Sequence, residues 1–279
     1  MQYERPNDIE QALTLLAQDD WKVLAGGTDF YPALQGHPAK GNILDVSALA
    51  GFKTIELQNN YWRIGAMVTW SDLIAADLPP AFDGLKLAAR EIGSIQIQNK
   101  ATLAGNICNA SPAADGVPPL LTLDAEIEIV SSTGTRQLPL EKFIHGNRQT
   151  DLESDELVSA ILIPQNSTTG TSSFIKLGSR KYLVISIAMV AVRLVIEEGI
   201  VTSAAVSVGS CSAVAVRLQK LETALTGTSV SDGLGDLVQS THLDDLSPLD
   251  DVRASANYRL MVSLELVRRA LTLAGENNQ

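Results

Sequence analysis

Two stretches of the chain hold residue types suited to gripping a ligand. The first is Val23-Leu24-Ala25-Gly26-Gly27-Thr28-Asp29-Phe30, an apolar run ending in adjacent glycines and a threonine. Paired glycines here mean that the backbone turns with φ > 0 or comes close to something. Successive N–H groups in such a turn form a concavity for anions, and a hydroxyl can add one more donor. Plain turn chemistry is the commoner use of the same residues. The second stretch, Ile92 to Ala125, is nearly free of charge yet rich in Asn, Ser, Thr and Gln, with Gly105, Asn106, Asn109, Ser111 and Asp115 close together. Polar atoms at that density are buried only when paired. Two readings stand: a long surface loop held by Asx and Ser/Thr turns, or the wall of a neutral hydrogen-bonding site with Asp115 facing the ligand.

Other chemistries find little support. The two cysteines, Cys108 and Cys211, are far apart and too few to ligate an iron–sulfur cluster. His37, His145 and His242 show no metal-ligand spacing. A net charge of −11 argues against nucleic acid and anionic membranes as partners. No apolar run reaches the roughly 18 residues of a membrane span, and no secretory leader is evident. The expectation is a soluble, cytoplasmic protein of two or three domains.

The elements that must position the two stretches are legible in part. Asn7 or Asp8 caps a short amphipathic helix with Ile9, Leu13 and Leu16 on one face. Lys22 to Gly27 and Gly41 to Leu49 read as brief strands, and Thr54 to Trp70 as a hairpin about Asn59-Asn60. Ser71 to Gly93 is helical at both ends and broken by Pro79-Pro80, while Ile92 to Pro118 lacks a period. Strands resume around a Ser-Thr-Gly turn before a linker-like run after Pro164. Beyond it lie a strand at Phe174, a hairpin from Ala188 to Ser210 and two helices, one from Val214 to Leu225 and one from Asn257 to Ala274. The last helix places Leu260, Leu264, Val267 and Leu271 on one stripe. Strands beside helices without steady alternation indicate an α+β protein.

Taken together and in order, AGGTDFYP and IGSIQIQNKATLAGNICNASPAAD resemble the FAD-binding (medium) subunit of the molybdenum hydroxylases, the xanthine dehydrogenase, aldehyde oxidase and carbon monoxide dehydrogenase family. The likeness extends to ERPNDIEQAL, to TIELQNNYWRIGAMVTWSDL, to FIKLGSRK and to the final helix. It implies an α+β fold: a two-domain FAD-binding unit of the PCMH type (residues 1–54 and 55–166), then a C-terminal α+β domain (167–279) with a three-stranded antiparallel sheet and helices. By the same likeness Val23, Leu24, Ala25, Gly26, Gly27, Thr28, Asp29 and Phe30 wrap the pyrophosphate. Thr102, Leu103, Ala104, Gly105, Asn106 and Asn109 belong to the phosphate and ribityl region. Asp115 binds a sugar or adenine group, Ile92 lies along the flavin, Lys176 approaches it from the third domain, and Val158 corresponds to a loosely patterned position of the family's site. Gln98 stands where many relatives carry Arg, and Leu183 near an acidic position.

The resemblance further implies an oxidoreductase subunit without a catalytic residue or metal of its own. FAD is its cofactor, while molybdopterin sits on a large partner subunit and [2Fe–2S] clusters on a small one, in a dimer of heterotrimers. Electrons arrive from the clusters and leave for NAD⁺, dioxygen or a quinone. Two rivals are a self-contained flavin oxidase of the vanillyl-alcohol oxidase type and a flavin-free assembly subunit. The first is usually larger, and the intact glycine motifs speak against the second.

Overall fold

The computed structural model of the chain describes residues 1–276. Asp8 caps the first helix, Ile9–Gln18, accepting the Gln11 amide at 2.8 Å. Ala12, Leu13 and Leu16 then join a core with Trp21 and Leu44. A small parallel sheet follows, with Asn42–Asp45 between Tyr3–Glu4 and Trp21–Leu24. The Gly26-Gly27 turn springs from the end of Trp21–Leu24, so the strand aims it.

An antiparallel five-stranded sheet forms the next layer, in the order Ile55–Gln58, Tyr61–Gly65, Leu157–Pro164, Glu126–Ser131, Gly134–Pro139. Its first hairpin turns at Asn59 and Asn60, both at positive φ (47° and 67°), the geometry two-residue hairpin loops favour. Thr69 and Asp72 make a reciprocal capping box at the start of Trp70–Ala75. The prolines at 79 and 80 separate this helix from Asp83–Glu91. Ile92 to Ala125 is not a long surface loop. It folds into three short helices, Ile95–Gln98, Leu103–Asn109 and Val117–Thr122, with Leu103, Ile107, Leu120 and Leu123 fully buried. Helices of one or two turns are too short to print a period in the sequence.

The C-terminal sheet has three long antiparallel strands, Thr171–Leu177, Ala188–Glu197 and Ile200–Gly209, plus a two-residue edge at Val216–Arg217. That edge pairing delays the helix expected from Val214, which begins at Gln219. The long helix Ala256–Glu276 buries Arg259, Ser263, Leu266, Val267, Ala270, Leu271 and Ala274. Leu260 and Leu264 of the expected stripe are only partly buried. Two polar residues take the inward places because they have partners there. Arg259 donates to the carbonyls of Ile187 and Ser210 and to Asp251, and Ser263 Oγ lies 3.1 Å from Cys211 Sγ. The residues after Pro164 are no free linker: Ser167 and Thr168 are buried, and Ser167 Oγ donates to Asp124 at 2.8 Å. One hydrophobic core runs from Ala12 to Ile163, and a second lies under the C-terminal sheet.

Candidate functional site

The two glycine-bearing stretches face one another across a cavity of about 470 Å³. Val23, Ala25, Gly26, Gly27, Thr28, Asp29 and Phe30 form one wall. Thr102, Ala104, Gly105, Asn106 and Asn109 of the second stretch line the same cavity, together with Ile92 and Val158. Leu24 and Leu103 belong to these stretches but point into the core, 5% and 0% exposed. The bulge between Val158 and Ala160 shifts the strand register beside the cavity.

The two glycines have different reasons to be glycine. A Cβ on Gly26 would stand 1.9 Å from the Lys100 carbonyl oxygen, so its bare Cα lets the first stretch touch the second. At Gly26 the close approach that glycine permits is to protein backbone. Gly27 sits at φ +75°, where a side chain is strained and a Cβ would meet the Tyr31 ring. The turn between them leaves donors over. Among the described residues, the amides of Gly26, Gly27 and Thr28 have no acceptor within the chain. On the facing wall Thr102 Oγ1 accepts the Gly105 amide at 3.0 Å, capping Leu103–Asn109. Asn106 lines the cavity with its amide oxygen buried and unpartnered.

Sequence reasoning missed the apolar wall: Phe52, Met67, Trp70, Ile97, Leu152 and Leu157. Such residues look like core in a sequence, and nothing in their spacing marks a ligand surface. Cys108 also lines the cavity, and burial pushes its thiol up to about 12.

Asp115 and Lys176 do not line this cavity. They pair with each other, Lys176 Nζ to Asp115 Oδ2 at 2.6 Å, and Ser186 Oγ donates to the other carboxylate oxygen at 2.5 Å. Burial raises the Asp115 carboxyl, and the ammonium and hydroxyl partly offset it. Gln98 is also off the wall. Its amide donates to the carbonyls of Arg90 and Ile92, both at 3.1 Å, and so fixes the cavity residue Ile92. Leu183 is exposed at φ +54°, its carbonyl accepting from Arg180.

A larger cleft of about 1090 Å³ lies elsewhere, between Tyr61, Pro164 and Arg217. Asp124, Glu126 and Glu141 line it, which makes it a poor place for an anion. The smaller cavity, with free donors at one end and apolar walls, suits a ligand with a phosphate part and an aromatic part. FAD fits that description.

Comparison with known proteins agrees. Residues 1–166 match the model of the FAD binding domain in molybdopterin dehydrogenase, and residues 173–274 the CO dehydrogenase flavoprotein C-terminal domain. The chain is 30% identical over 277 residues to the putative xanthine dehydrogenase FAD-binding subunit of Escherichia coli K12, covering 98% of this chain and 95% of the relative. It is 28% identical to the nicotine 6-hydroxylase medium subunit of Paenarthrobacter nicotinovorans, with 99% and 97% covered. Among solved structures it superposes on CO dehydrogenase from Oligotropha carboxidovorans with a TM-score of 0.88, 26% identity, and 99% and 98% of the two chains covered. The chain thus belongs to the family of FAD-binding subunits of molybdenum hydroxylases, and its cofactor is FAD. No helix among the described residues is long and apolar enough to cross a membrane.

Proposed function

We propose that the chain is the electron-output subunit of its complex. It receives electrons from [2Fe–2S] clusters of a small partner subunit, downstream of molybdopterin on a large one, and delivers them to a terminal acceptor. The assembly is a dimer of heterotrimers in the cytoplasm. The FAD unit spans 1–54 and 55–166, and 167–279 is the C-terminal domain. When bound, FAD supplies the redox chemistry, and the chain supplies position and electrostatics. The amides of Gly26 to Thr28 and the Thr28 hydroxyl hold the diphosphate. Gly105, Asn106 and Asn109 meet the ribityl region, and Ile92 and Val158 pack along the ring and exclude water. The Asp115–Lys176 pair stands off the wall and braces the chain at Gly116, against which the Asn106 amide oxygen is lodged. No side chain of this chain has to move a proton.

The observation that carries this reading is the facing of Gly26–Thr28 and Thr102–Asn106 across one cavity. Among the described residues no histidine lines the cavity, and the binding is taken as non-covalent. The purified chain is expected to hold one FAD, released entirely into the supernatant on acid precipitation. FMN, which lacks the diphosphate, is expected not to replace it. Flavin retained in the precipitate, or tight FMN binding, refutes the assignment.

A further inference from the structure

Beside the cavity lies a small hairpin, Ile144–Gly146 paired with Gln149–Thr150, that neither glycine motif includes. Its tip touches the first stretch and the end of the helix that bears the second. The Arg148 amide donates to the Ala110 carbonyl at 3.3 Å, directly after the helix that carries Asn106 and Asn109. The Arg148 guanidinium stands 3.5 Å from the Asp29 carboxylate at the end of the Gly26-Gly27 turn. Arg148 holds φ +57° and Ala110 φ +46°, a conformation that non-glycine residues keep only where surroundings impose it. The chain after the hairpin continues into the cavity wall at Leu152.

The electrostatic problem at this spot is plain. Asp29 lines the cavity beside the free amides, in a chain of net charge −11, and a carboxylate there repels a diphosphate. We propose that Arg148 is a positioning residue for the cofactor's diphosphate, acting through Asp29: it neutralises that carboxylate and so lets the acidic turn accept the anion. This rests on the FAD reading above and adds the hairpin to the site as its charge-compensating element.

The test is a double-mutant cycle on the full chain, read as FAD affinity by flavin fluorescence quenching. Arg148→Gln is expected to weaken FAD about three- to fivefold at low salt, the size of one nearby solvent-screened charge. The loss should shrink toward nothing near 1 M salt, where the Debye length is about 3 Å. Asp29→Asn alone should leave affinity equal or tighter, and Asp29→Asn combined with Arg148→Gln should return it to within about twofold of wild type. Arg148→Lys should rescue most of the loss, and melting of the apo chains by circular dichroism verifies that each variant folds. ADP should follow FAD through the cycle while adenosine should not. An Arg148→Gln chain with wild-type FAD affinity overturns the proposal. So does a double variant as weak as the single one, or an equal loss for adenosine, since either makes the hairpin a mere brace. A wild-type chain that binds neither FAD nor ADP fails differently: it removes the cofactor reading and this proposal with it.

Discussion

The cavity wall and the seam to the C-terminal domain handle polar groups in opposite ways. Along the seam most are paired, the buried Ser210 hydroxyl being an exception. Lys176 and Asp115 form a buried ion pair with Ser186 attached. Asp124 accepts from Ser167, Arg193 and Arg217, and Arg193 also donates to the Thr122 carbonyl at 2.7 Å. Ser172 Oγ accepts the buried Gly84 amide and donates to the Ala81 carbonyl. Along the cavity, amides at Gly26 to Thr28 and the Asn106 oxygen have no partner within the described chain. Buried polar groups are paired as a rule, so the seam is largely satisfied by itself, while the cavity wall gathers free groups around an open space where a ligand can meet them. Both regions are polar and both join parts of the fold. An unpartnered group that also lines an open cavity, as Asn106 does and Ser210 does not, tells the ligand site from the structural joint.

The sharpest way to break this comparison is at Gly26. Gly26→Ala puts a methyl against the Lys100 carbonyl, a backbone atom that cannot swing aside, and should abolish FAD binding with far-UV circular dichroism little changed. Gly27→Ala meets only strain at positive φ, about 1–2 kcal/mol, and a Tyr31 ring that can rotate. It should weaken binding by roughly tenfold or less. Equal affinity in the Gly26→Ala chain would mean that contact between the two stretches does not build the site.

The seam answers to a different readout. Lys176→Met strands the Asp115 carboxylate in a buried place and should lower stability by about 3–5 kcal/mol in urea titrations. Lys176→Met with Asp115→Asn removes both charges and should recover much of it. If the single change instead empties FAD with stability intact, Lys176 belongs to the cofactor and not to the joint.

How far the sequence discloses this follows from the same physics. The glycine motifs are legible because φ > 0 and close approach restrict residue choice, as at Gly27 and Gly26. The hairpin at Asn59-Asn60 and the Asp8 cap are local chemistry and read directly. The long final helix is readable as a helix, yet its inward face begins at Arg259, because burial there depends on carbonyls from Ile187 and Ser210, distant in sequence. Lys176 and Asp115 illustrate the same limit at the site. Their types suit a ligand, and only the fold shows each as the other's partner. The hairpin tip at Arg148 carries no motif of its own, since its meaning comes from Asp29 lying over a hundred residues away.

The smallest expected effect lies on the exposed side of that hairpin, where pairing is complete but wet. Arg136 donates to both Glu156 oxygens and to Asp151 Oδ2, all at 2.7 Å, and to the Asp151 carbonyl. Its hydrogen bonds are the main reason that the Glu156 and Asp151 carboxyls are held below their usual range, with His145 assisting at Asp151. A carboxyl lowered in the folded state contributes stability above its unfolded value, about 4.3 for Glu and 3.9 for Asp, and loses it as pH falls through the folded value. The wild-type melting temperature should therefore exceed that of Arg136→Met at pH 7, and the gap should close as pH drops from about 5 toward 3. The gap is a few degrees at most, because these side chains are partly exposed and solvent screens the pairs. A gap of the same size at pH 3 and pH 7 would assign the contribution of Arg136 to packing of its stem, leaving the seam and the cavity as the two places where charge pairing decides the structure.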